Sequence, residues 1–96
     1  MRRQQARYAD GPRIRRLAAL ENVEILFTCD EKLRKHEIWR PDALMALMTC
    51  SVVKSERYQG AWRRTIKGFD RDEGEIFLVV TIDPEIKRIV IFDGWR

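Results

Sequence analysis

The hydrophobic period of this chain changes near residue 50, and that change limits it to few architectures. Before it, apolar residues recur at helical spacing: Ile14, Leu17, Ala18 and Leu20, then Ala43, Leu44, Leu47 and Met48. After it come four runs rich in strand formers, at about 51–57, 61–68, 75–82 and 86–92. Turn signals separate the runs: Gln59-Gly60, then Asp70-Arg71-Asp72-Glu73-Gly74, then Asp83-Pro84. Connections this short make antiparallel neighbours, so the second half predicts a four-stranded meander. Ile76-Phe77-Leu78-Val79-Val80 and Ile89-Val90-Ile91-Phe92 are continuously apolar and belong at its centre.

The first half supplies one more strand and the helices. Asn22–Phe27 reads as a strand. Thr28-Cys29-Asp30-Glu31 has capping-box spacing and predicts a helix over 29–37. Arg40-Pro41-Asp42 breaks it and starts another, with Pro41 at the first helical position and an end near Thr49. Pro12 likewise opens a short helix over 12–20. The expected fold class is α+β: a strand, two helices and an antiparallel meander, with the helices on one face of the sheet. At 96 residues there is room for one domain. The reading divides the chain into a basic flexible arm over 1–11 and a single domain over 12–96.

Charge points to an anionic partner. The net charge is +4. Residues 1–16 hold Arg2, Arg3, Arg7, Arg13, Arg15 and Arg16 against Asp10 alone. Arg57, Arg63, Arg64, Lys67 and Arg71 form a second basic segment. Clusters of this kind suit nucleic acid or an acidic protein. Strand alternation sorts the second cluster. Trp62 and Ile66 are the better core residues, which leaves Arg63 and Lys67, with Arg57 nearby, on an exposed face as a phosphate platform. His36 is the sole histidine and follows Lys32, Arg34 and Lys35, a setting suited to phosphate chemistry or phosphate binding.

Other chemistries lack their residues. One histidine and scattered carboxylates offer no metal-ligand spacing, so neither metal nor cofactor is expected. No glycine-rich phosphate loop occurs. Cys29 and Cys50 read as small core residues. No apolar run reaches the roughly 20 residues of a membrane helix, and no apolar signal core follows the basic start. The expectation is a cytoplasmic protein with no membrane partner. Gly60, Gly68, Gly74 and Gly94 read as turn or strand-end glycines.

Several collinear motifs resemble the BrnT-type toxins of the RelE-like ribonuclease toxin group. Lys32-Leu33-Arg34-Lys35-His36-Glu37-Ile38 resembles a family helix that ends in Lys-His-Gly followed by Val or Ile. Pro41-Asp42-Ala43 resembles the next helix start, and Arg63-Arg64-Thr65-Ile66-Lys67-Gly68 the family's Arg with Gly five residues on. Phe77-Leu78-Val79-Val80 and Arg88-Ile89-Val90-Ile91 resemble its last core strands. Two departures stand out. Glu37 replaces the usual glycine, and the chain closes on Phe92-Asp93-Gly94-Trp95-Arg96 where the family runs into Ser-Ala-Arg.

The resemblance implies a RelE-like fold and metal-independent RNA cleavage by 2′-hydroxyl attack. It implies His36 as acid or base, with Arg63, Lys67 and Arg88 clamping the phosphate. Arg34, Lys35, Arg57, Tyr58 and Arg64 would bind RNA, Tyr58 by stacking or proton relay. An antitoxin protein is the implied partner. Two other readings stay open. One is a non-catalytic adaptor or inhibitor that engages nucleic acid or an acidic protein through the basic face. The other is a domain completed by a second chain or a second copy of itself across exposed strand edges.

Overall fold

Three helices cover one face of a five-stranded sheet and leave the other face bare. The computed structural model describes the backbone from Arg2 to Arg96 and side chains from Asp10 onward. The chain runs α1 (Arg2–Ala19), β1 (Val23–Ile25), α2 (Phe27–Lys35), α3 (Arg40–Met48), β2 (Ser51–Tyr58), β3 (Ala61–Phe69), β4 (Glu75–Asp83) and β5 (Arg88–Trp95). The strand order is β1-β5-β4-β3-β2. β2 to β5 form the antiparallel meander, and β1 lies parallel to β5. The sheet is therefore mixed and the fold α+β.

The core lies between the sheet and the helices. Ile66, Ile76, Leu78, Val80, Ile89 and Ile91 point inward from the strands. Ile14 and Ala18 of α1, Leu33 of α2, and Ala46 and Leu47 of α3 meet them. No charged side chain is buried among the described residues. Cys29 and Cys50 are buried free thiols, and burial pushes Cys50 up to about 11, where it is chemically quiet.

Two glycines set the layer spacing. A Cβ on Gly68 would lie 1.9 Å from the Ala46 carbonyl oxygen, so α3 rests directly on the β3 backbone. A Cβ on Gly94 would lie 2.5 Å from the Leu33 side chain. Both stand one residue from a strand end, where glycines were expected, and the close packing is what requires them there. Gln59 and Gly60 both have positive φ, 50° and 82°, as a type I′ hairpin turn needs.

Helix boundaries depart from expectation. α1 starts at Arg2 and runs through Pro12, which therefore stands inside the helix. Packing against α3 and β2 holds it across the missing hydrogen bond. The arm expected over residues 1–11 falls mostly where side chains lie outside the description. α2 begins two residues early, at Phe27, with Leu26 at its N-cap and no side-chain cap, so the Thr28–Glu31 box does not form. The Leu26 carbonyl accepts the Cys29 and Asp30 N–H groups instead. Asp42 does cap α3, its Oδ2 accepting the Trp39 N–H at 2.9 Å.

The end of α2 is a Schellman motif. Ile38 N–H donates to the Leu33 carbonyl and Glu37 N–H to the Arg34 carbonyl, at 2.9 Å each. Glu37 takes φ 58°, the left-handed position where glycine is favoured. Arg96 seals this corner. Its Nε and Nη2 donate to the His36 and Glu37 carbonyls, and its Nη1 bonds Asp70 Oδ2 at 2.6 Å.

Candidate nucleic-acid interface on the open sheet face

Alternation along β3 sends Arg63, Thr65, Lys67 and Phe69 to the bare face, and Arg64, Ile66 and Gly68 toward the helices. Register adds the neighbours. Lys67 stands beside Phe77, and Phe77 beside Trp95. Thr65 stands between Lys54 and Val79. Tyr58 ends β2 on the same side, and Phe92 reaches it from β5.

The face has two cationic and aromatic clusters. In the first, the Arg63 guanidinium lies 4.0 Å from the Tyr58 ring centre and 4.4 Å from that of Phe92. In the second, Phe77 and Trp95 stack at 5.7 Å with 10° between their planes, and the Lys67 ammonium lies 6.0 Å from the Phe69 ring. Lys67 lies four positions beyond Arg63 on β3, about 13 Å along the strand. Among the described residues neither cation forms an ion pair. Glu56, the cross-strand partner of Arg63, is engaged by Lys54 at 3.5 Å. The platform thus carries uncompensated positive charge among large flat side chains.

The other expected residues scatter. His36 caps the C-terminal end of α2, in the helix layer, while Arg63 projects from the opposite face of the sheet. The pair that would have shared one phosphate is separated by the sheet itself. The physical reason is the Leu33–Gly94 contact, which fixes α2 on the core side of β5. Arg88 lies at the far end of β5 from Trp95 and is 3.7 Å from Glu24. Arg64 is turned inward, its Nε bonded to Asp10 Oδ2 at 2.6 Å, with both side chains largely covered. Arg57 also leaves the platform: it donates to the Gly60 carbonyl and lies over Trp62 on the helix side. Arg34 pairs with Asp30 at 2.9 Å and lies over Trp39, and Lys35 is an exposed residue of α2. Of the expected set, the structure brings together Arg63 and Tyr58, with Lys67 on the same face.

Phe92, Phe77 and Trp95 were not expected at the site. The apolar runs that contain Phe77 and Phe92 suggested buried strands, and Trp95 lies beyond both runs. Half of each run faces the core and half lines the platform. A bulge opposite Val79 and Val80 shifts the β4–β5 register, so simple alternation along β5 sends Phe92 outward but would not have placed Trp95. Among the described residues no three potential metal ligands gather, and no helix is long and apolar enough to cross a membrane. No known family model, curated protein or solved structure matches this chain.

Proposed function

We propose that this chain binds single-stranded RNA across the open face of its sheet. The observation that carries the reading is the Arg63 guanidinium held between the Tyr58 and Phe92 rings on a face no helix covers. Flat rings accept bases by stacking, and unpaired cations accept phosphates. A strand with unstacked bases can use both; a duplex hides its base faces. Tyr58 and Thr65 hydroxyls on the face offer partners to a ribose 2′-hydroxyl, which favours RNA over DNA. The RelE-like reading of the element order points to the same ligand class. Binding rather than histidine-driven cleavage is supported, because His36 ends α2 in the layer behind the sheet.

The test is fluorescence anisotropy with a labelled oligouridylate. Phe92→Ala should weaken binding by roughly tenfold, within the 1–3 kcal/mol per stacked base that alanine substitution usually removes. Arg63→Gln and Lys67→Gln together should flatten the salt dependence by about 1.4 units of log–log slope. Equal affinity for a duplex, or no loss in any of these variants, would sink the reading. If RNA fails and an antitoxin-like protein occupies the face, the partner is a protein instead.

A further inference from the structure

A strongly basic hollow lies away from the open face. Arg13 and Arg16 of α1 and Lys87 of the β4–β5 turn line a cleft of about 310 Å³ together with Leu17 and Leu20. Residues 13, 16 and 17 share one face of α1 by spacing, so the helix delivers both guanidiniums to the same side. Among the described residues none of the three cations meets a carboxylate. Three like charges set around one hollow repel each other, and an anion between them relieves that repulsion.

The cleft is not isolated. A second hollow, of about 300 Å³, shares Arg13 with it and extends to Ala61, Thr81, Ile82 and Pro84. A third, of about 480 Å³, is bordered by those last four residues and opens onto Val90 and Phe92. Phe92 is the ring against Arg63 on the platform. Shared lining residues set the three hollows in series, from Phe92 on the open face, past the β4–β5 turn, to the basic cleft, and we read this series as one groove. Asp83 and Glu85 also border the third hollow. Asp83 Oδ1 accepts the Glu85 and Ile86 N–H groups, and no cation pairs with either carboxylate among the described residues; the two repel phosphate there, so the anion-binding end of the groove is the Arg13 end.

We infer that an RNA strand lying on the open face continues through this groove, and that Arg13, Arg16 and Lys87 hold its phosphodiester backbone there. The inference rests on the RNA reading of the face and adds to it a longer, bent binding track. A flexible single strand can follow the turn around the sheet end, whereas a duplex, stiff over far greater lengths, cannot.

The test uses labelled oligouridylates of four and twelve nucleotides on the whole chain. The longer one should bind at least about tenfold more tightly. Combining Arg13→Gln, Arg16→Gln and Lys87→Asn should remove that advantage and leave the four-nucleotide affinity unchanged. The log–log salt slope for the longer strand should fall by about 2, at roughly 0.7 per phosphate contact on single strands. Asparagine at 87 tolerates the left-handed backbone found there, and unchanged melting temperatures confirm folding. A triple variant that keeps the full affinity for the long strand overturns the groove, as does equal binding of both lengths. If the short strand binds through Phe92 and length adds nothing, the groove alone falls. If neither oligonucleotide binds, the platform reading falls with it.

Discussion

At the scale of single residues, the backbone conformation of Glu37 yields the sharpest expectation. It ends α2 at φ 58°, where a Cβ is strained and glycine is not. Glu37→Gly should raise stability by about 0.5–1 kcal/mol, the left-handed strain less the added freedom of the unfolded chain. Denaturant unfolding measures it, and a destabilised variant would contradict the Schellman assignment. Asp70 yields a pH expectation. The Arg96 guanidinium, followed by the Gly74 N–H, holds its carboxyl below the ordinary carboxylate value. The folded state therefore favours the charged form. The resulting stabilisation is complete above the ordinary value of 3.8 and is lost as pH falls through the lowered one. Melting temperature against pH should show wild type and Asp70→Asn converging in acid. Parallel curves would mean that the Arg96–Asp70 pair is unimportant in solution.

Between elements, the tightest joint is α3 on β3. The Ala46 carbonyl occupies the space a side chain at position 68 would need, and it cannot swing away as a side-chain tip could. Gly68→Ala should cost more than about 3 kcal/mol, at the severe end of overpacking. A variant with a near-normal unfolding midpoint would show that the layers can separate at little cost. The same joint is fastened by Thr49, whose Oγ1 donates to the Met45 carbonyl and accepts the Phe69 N–H at 3.0 Å. The outer strand β2 is the exposed edge of the meander. A register shift between Val52 and Lys54 leaves Val53 exposed, and a bulge and a lysine on an edge discourage pairing with another strand. A second copy is therefore poorly served by this edge.

Across the whole molecule, the sheet separates two surfaces. One carries the helices and His36; the other carries Arg63, Lys67 and the aromatic clusters. His36→Ala should leave oligouridylate affinity unchanged, and RNA incubated with either protein should stay equally intact on a denaturing gel. A loss of cleavage specific to the histidine variant would restore the nuclease expectation and require the α2 end to reach the substrate from the other side. Affinity at the open face should fall with salt, because exposed cations gain from counterion release.

What the sequence alone determined is what short-range periodicity encodes. The presence of α2 and α3 ahead of the meander, the strands, their turns, and the outward face of Arg63 and Lys67 follow from spacing and turn chemistry within a few residues, whereas the start of α2 does not. Tertiary structure decided the rest. The parallel pairing of β1 with β5, the inward turn of Arg64 to Asp10, Gly68 and Gly94 as packing sites, and His36 behind the sheet depend on contacts between residues tens of positions apart. Periodicity specifies which way a side chain faces from its own element. Only the packing of elements specifies which faces meet, because the energy that chooses among arrangements is spread over the whole core.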